Sequence, residues 1–170
     1  LFVELVPPPD GVLTPILHRL EPGDVVTIRP RAKGLFTFRP NVKNHFLIAT
    51  VTGIVPYISY LRNYLHQGTS GHHFYVLHGA SYLNELVYGV EIQQISCENP
   101  KLVSYVPTVS RPDEPENDEW AGEKGRVNLL IETYQQKFTL FPTDTLIYAC
   151  GHPLMIEDVK NKMLPLGFKV

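Results

Sequence analysis

The sequence predicts an α/β protein: a parallel sheet with helices on both faces. Three features point to it. From residue 44 onward, apolar runs of strand type alternate with segments of helical periodicity. Prolines open two of the helical segments, at Pro56 and Pro153, where a missing N–H costs nothing. Gly53, Gly79, Ser110 and Gly151 each follow a strand end, so they are expected to share one edge of the sheet. In such folds ligands bind beyond the carboxyl ends of the strands, where the strand order reverses.

Composition narrows the function classes. The 170 residues suffice for one good core, or for one full domain plus part of another. A formal charge of −2 argues against nucleic acid as the main partner. No apolar run reaches the roughly 18 residues of a spanning helix, so no membrane partner is expected. The two cysteines, Cys97 and Cys150, lie far apart without CxxC spacing, as in a reducing compartment. With no basic, apolar leader at the start, a cytoplasmic protein is the expectation.

The first forty residues read as β-rich. Residues 2–6 (FVELV) suggest a short strand and 7–11 (PPPDG) a turn. Thr14 is a candidate N-cap for a short helix through Leu20. A second turn at Pro22-Gly23-Asp24 precedes a strand over 25–28. This stretch is too short for a domain and reads as the tail of a β-barrel.

The rest follows the alternation. Strand 45–50 leads through Thr52 and Gly53 to a helix over 56–67, with Ile58, Leu61 and Leu65 at helical spacing and Gly68 as a stop. Strand 73–78 leads to a helix near 82–89, and strand 102–108 leads through a polar loop to a helix near 125–135. Strand 145–150 leads to a helix over 153–164, where Met155, Val159 and Met163 recur every four residues and Gly167 follows. The turn after strand 45–50 aims free backbone N–H groups and a helix N-terminus at one point, which suits a phosphate. It departs from the dinucleotide fingerprint G-x-G-x-x-G/A. Val51 holds the first glycine position and Pro56 sits near the third.

His72, His73 and His78 alternate along one strand, and no carboxylate lies at metal-ligand spacing, so no metal site is expected. His45 and His66 read as surface or strand-edge residues.

Three ordered segments carry a resemblance that covers nearly the whole chain. They are Gly11-Val12-Leu13-Thr14 with Pro22-Gly23-Asp24, then Thr50-Val51-Thr52-Gly53-Ile54-Val55-Pro56, then Cys150-Gly151-His152-Pro153-Leu154-Met155-Ile156. Between the last two stand Ser110-Arg111 and Gly125-Arg126. In this order and spacing the set resembles the ferredoxin–NADP reductase family, in which a flavin-binding β-barrel precedes a pyridine-nucleotide domain. The resemblance implies that residues 1–40 end the FAD-binding barrel and 41–170 form the NADP-binding α/β domain. It implies that Gly11, Val12, Leu13 and Thr14 hold the FAD pyrophosphate. It implies that Thr52 and Gly53 let the nicotinamide half approach the backbone, with Cys150 and Gly151 against the ring. Thr52 and Cys150 are then the catalytic-pocket residues, with Cys150 packing on the ring rather than acting as a covalent nucleophile. Ser110, Arg111 and Arg126 are implied to hold the adenosine 2′-phosphate, because Arg offers a permanently charged, bidentate fork.

Two features bear on the preference for NADP. The loop 111–126 carries five acids, Asp113, Glu114, Glu116, Asp118 and Glu119, read as a solvated face. In His78-Gly79-Ala80-Ser81-Tyr82, Ser81 stands where some bacterial relatives have another Arg, which lowers the expected preference. Tyr82 is a candidate adenosine contact. The implied function is electron transfer between NADP(H) and ferredoxin or flavodoxin through FAD. The alternatives are a reductase component of an oxygenase using NAD(P)H, or an NADH-using relative, and a nucleotide-binding module without turnover. The family's upstream RxYS-type flavin motif has no match in these residues, and the chain is expected to be a trimmed reductase.

Overall fold

The computed structural model describes residues 3–31, 34 and 36–170. They form two compact units, Leu1–Thr37 and Phe38–Val170.

In the first unit the only regular element among the described residues is the five-residue helix α1, Leu13–Leu17. The strands expected over 2–6 and 25–28 are corrected. Residue 2 lies outside the described residues, and 3–6 and 25–28 are irregular. A short strand persists only when its backbone finds a partner. Neither run pairs with a strand among the described residues, and Val25 and Ile28 are almost fully exposed. Thr14 is not the N-cap; Val12 is, with no side-chain cap. The Thr14 hydroxyl instead closes the Pro7–Gly11 turn. It accepts from the Val6 N–H at 3.0 Å and donates to the Val6 carbonyl at 3.2 Å.

The second unit is the α/β domain. Its strands are β1 (Asn44–Thr50), β2 (His73–Ala80), β3 (Val103–Val109), β4 (Glu123–Lys124) and β5 (Thr145–Cys150). All pair in parallel, in the order β4-β3-β2-β1-β5. The chain therefore winds outward from β1 to β4 and then crosses back to place β5 on the other side of β1. The order reverses at β1, and the carboxyl ends there are where such a sheet binds ligands.

The central strand explains its own composition. Phe46, Leu47, Ile48 and Ala49 are all fully buried because both sheet faces are covered. Leu47 and Ala49 pack with α2 (Val55–His66) and α3 (Gly89–Glu98), whereas Phe46 and Ile48 pack with α4 (Val127–Lys137) and α5 (Pro153–Met163). Burial of Phe46, Leu47 and Ile48 contributes roughly 1.5–3 kcal/mol each, and of the smaller Ala49 less. On α2 the buried stripe is Tyr57, Ile58, Leu61 and Tyr64; Leu65 faces solvent, and the Tyr64 ring takes the place expected for it. On α5 Met155, Val159 and Met163 are buried as the spacing predicts.

The helix expected near 82–89 is a single 3-10 turn, Leu83–Glu85, and the true helix, α3, starts at Gly89. Tyr88 adopts a left-handed conformation (φ 58°) that separates the two. His45 is fully buried, not at a surface or edge. It stacks on Phe74 at 5.2 Å and lies 5.5 Å from the His72 ring, and neither of its nitrogens has a partner of ordinary hydrogen-bond geometry among the described residues. Burial, helped by the neighbouring His72, lowers its pKa to about 4 despite a partial offset from the Val42 backbone.

Candidate functional site

At the reversal point two turns interlock. β1 ends at Thr50 and passes into the 3-10 turn Val51–Ile54, which runs into α2. β5 ends at Cys150, and Gly151 (φ 132°) leads into α5. Parallel pairing sets Ala49 opposite Cys150, so both turns leave the sheet side by side. Nothing larger than glycine fits where they touch. A Cβ on Gly53 would overlap the Cys150 carbonyl, and one on Gly151 would overlap the Thr50 hydroxyl. The His152 N–H donates to Thr50 Oγ1 at 2.8 Å and ties the turns together.

The first turn holds a strained residue. Val51 sits at φ 44°, a region that β-branched side chains avoid. A buried histidine on the next strand braces it. The Nε2 of His78 lies 3.2 Å from the Val51 carbonyl and its Nδ1 lies 3.1 Å from the Tyr105 hydroxyl. Burial lowers the His78 pKa to about 4, so the ring is neutral near pH 7. A carbonyl only accepts, so Nε2 carries the proton and Nδ1 accepts from Tyr105. Burial also pushes the Cys150 thiol up, which keeps it protonated at neutral pH and unsuited to nucleophilic attack.

From these turns a cleft of about 560 Å³ runs across the carboxyl ends of β1, β2 and β3. Thr50, Val51 and His152 line one end. Ser81, Ser110, Arg111 and Arg126 line it toward the far strands. The start of α4 and the first turns of α5 close it, with the Asn128 amide donating to the Asp158 carboxylate at 2.5 Å. Arg126 is the N-cap of α4, exposed, with no ion-pair partner among the described residues. Cation side chains beside a helix N-terminus suit a phosphate.

Two polar side chains organise the loops around Arg111. Asn117, buried, donates from Nδ2 to the Ser81 carbonyl at 3.0 Å and the Arg111 carbonyl at 2.9 Å. Its Oδ1 accepts from the Leu83 N–H at 2.8 Å. Glu85 accepts from the Ser81 and Tyr82 N–H groups at 2.9 and 3.1 Å.

The profile of the oxidoreductase NAD-binding domain family matches residues 47–161. The chain belongs to that family. It is 30% identical over 160 residues to a component of the Na(+)-translocating NADH-quinone reductase of Methylococcus capsulatus, a match that covers 94% of this chain and 38% of the relative. It is 30% identical over 156 residues to flavodoxin/ferredoxin–NADP reductase of Buchnera aphidicola, covering 88% of this chain and 58% of that one. Its fold matches a ferredoxin NADP+ reductase from Neisseria gonorrhoeae, solved with bound FAD and NADP. There the TM-score is 0.76 at 23% identity, over 95% of this chain and 65% of the other. The chain thus spans between about two fifths and three fifths of the curated relatives it matches.

The residues singled out from sequence fall into three places, two of them in this NAD-binding domain. Thr52, Gly53, Cys150 and Gly151 lie in the interlocked turns, and Ser110, Arg111 and Arg126 line the cleft beside them. Gly11, Val12, Leu13 and Thr14 belong to the other compact unit. Sequence reasoning passed over His78 as a brace, Asn117 and Glu85 as loop clamps, and Asn128, His152 and Asp158 as cleft lining. Asp158 had a faint signal, as a carboxylate three residues from buried Met155 on α5. Among the described residues no group of three His, Cys, Asp or Glu is placed to hold an ion. No helix of the described residues is long and apolar enough to cross a membrane.

Proposed function

We propose that the cleft binds NADP(H) and that the full-length protein is a flavin-dependent reductase passing electrons between NADP(H) and a one-electron carrier, ferredoxin or flavodoxin. One observation carries this reading. At the reversal point of the sheet, a turn pair that admits no side chain at Gly53 or Gly151 adjoins a cleft whose far side offers Ser110, Arg111 and Arg126. The closed turn pair suits the flat nicotinamide half, and the cationic side suits the adenosine 2′-phosphate.

In this reading residues 41–170 form the NADP-binding domain, and 1–40 end the FAD-binding barrel. Thr52 and Cys150 bound the nicotinamide ring. The neutral Cys150 thiol supplies a small polarisable surface and takes no part in bond making. Thr50 and His152 keep the two turns in register. Ser110, Arg111 and Arg126 hold the 2′-phosphate, and the backbone of Gly11, Val12, Leu13 and Thr14 faces the FAD pyrophosphate. The first N–H groups of α1 lack intrahelical partners and fit an anion, whereas the Thr14 hydroxyl is already committed to Val6. Bound FAD would supply the hydride chemistry by exchange with the nicotinamide; this chain orients the ring and excludes water beside it.

The test is an ultraviolet–visible spectrum of the purified full-length protein, followed by NADPH without oxygen. A flavin band that bleaches on addition is the expected result. A colourless protein that still binds NADPH would make this a nucleotide-binding module and end the reductase reading.

A further inference from the structure

We infer that Glu114 is a built-in competitor for the adenosine 2′-phosphate and sets how far the cleft prefers NADPH over NADH. The inference rests on the nucleotide reading above and concerns a residue to which that reading gives no role.

The geometry is a closed ring of three side chains. Arg111 Nη1 donates to the Tyr82 hydroxyl at 2.8 Å and pairs with Glu114 Oε1 at 3.3 Å. The Tyr82 hydroxyl in turn donates to Glu114 Oε2 at 2.7 Å, and the Arg111 guanidinium sits 5.3 Å from the centre of the Tyr82 ring. Glu114 is not free to swing away with its loop. Its N–H donates to the Arg111 carbonyl at 3.2 Å, and its carbonyl accepts from the Asn117 N–H at 2.8 Å. Asn117 is itself fixed to both loops by the bonds described above.

A carboxylate therefore occupies the guanidinium edge that a phosphate would seek. Glu85 does the same for the backbone, since its carboxylate takes the Ser81 and Tyr82 N–H groups. A 2′-phosphate must displace Glu114 from Arg111 and then sit beside its charge, whereas the 2′-hydroxyl of NADH has no negative charge to place there. A carboxylate can even accept from that hydroxyl. The Arg111–Glu114 pair is about half exposed, so the competition is modest and screened by salt.

The experiment measures dissociation constants of NADP+ and NAD+ by titration calorimetry on the full-length protein, for wild type, Glu114→Gln, Arg111→Gln and the double variant. Gln keeps a hydrogen-bonding group for Tyr82 and removes the charge. Glu114→Gln is expected to raise the NADP+ preference about 3- to 10-fold at low salt. The gain should shrink at high salt, and shrink in the Arg111→Gln background to what direct repulsion between Glu114 and the phosphate leaves. Should Arg111→Gln lower NADP+ affinity while Glu114→Gln leaves the preference unchanged, the inference is overturned and the 2′-phosphate reading stands. If Arg111→Gln leaves NADP+ affinity untouched, the reading of Arg111 falls, and the inference with it.

Discussion

Replacing Arg126 with alanine is expected to weaken NADPH binding by about 10- to 100-fold while changing NADH binding less than about 2-fold. The size follows from the chemistry of the pair. A hydrogen bond to a charged group contributes roughly 1.5–3 kcal/mol, and every 1.4 kcal/mol is a factor of ten in affinity. Arg126 meets the requirements for the full effect. It lines the cleft, caps α4 from a position where the helix dipole reinforces its field on an anion, and has no ion pair to break first among the described residues. Arg111 is different, since its guanidinium is already engaged by Glu114 and Tyr82. Arg126 should therefore dominate the discrimination between the two nucleotides, with Arg111 second. Equal losses for NADPH and NADH on Arg126→Ala would remove the 2′-phosphate role.

The second large effect concerns the brace beneath the Val51–Ile54 turn. His78→Phe keeps the ring and removes both of its hydrogen bonds, to the Val51 carbonyl and the Tyr105 hydroxyl. The variant is expected to lose about 2–4 kcal/mol of stability at pH 7, because two buried polar groups lose their partner at once. The strained Val51 turn is then released, so affinity for NADPH and NADH should fall by the same factor, unlike Arg126→Ala. The variant should also lose part of the wild-type acid sensitivity. His78 and His45 both have folded pKa values near 4, below the unfolded value of 6.5. Above pH 6.5 both states are neutral and stability is full. Below it the unfolded chain takes up protons that the folded chain refuses until about pH 4. Stability therefore falls by roughly 1.4 kcal/mol per pH unit for each histidine across that window. Urea midpoints at pH 7 and pH 5 measure both effects. A His78→Phe midpoint equal to that of wild type at pH 7 would contradict the account of the brace.

Much of this architecture is written locally in the chain. The five-strand order could not be read from spacing, but the buried runs of β1, β2 and β5 could. A strand covered on both faces needs apolar residues at every position, and Phe46–Ala49 have them. Helices α2 and α5 were legible because Pro stands in the first turn of each and apolar residues at helical spacing face the core. Helix α3 was not, because its start depends on Tyr88 entering the left-handed region, which no residue type there announces. The runs 3–6 and 25–28 mislead for the opposite reason. Their strand composition is real, but a strand is a pairing, and composition cannot supply the partner.

The site divides the same way. Gly53, Gly151, Ser110, Arg111 and Arg126 stand out as small or charged residues after strand ends, and all five lie in the interlocked turns or the cleft beside them. The residues that hold these groups in place were invisible. His78 reads as one more histidine in a strand, and Asn117 and Glu114 as part of an acidic loop. Their roles arise only when His78 meets Val51 and Tyr105, and residues 81–83 meet the 111–126 loop, at sequence separations of about thirty.

The measurement that tests the central claim most directly is amide hydrogen exchange of the full-length protein with and without NADP+. Binding in the cleft predicts slowed exchange in five segments at the carboxyl ends of the strands: 50–54, 79–82, 108–111, 125–128 and 151–155. The amides at the opposite ends, such as 43–45 and 72–74, should be unchanged. Protection confined to other parts of the protein, with these five segments unaffected, would contradict the account.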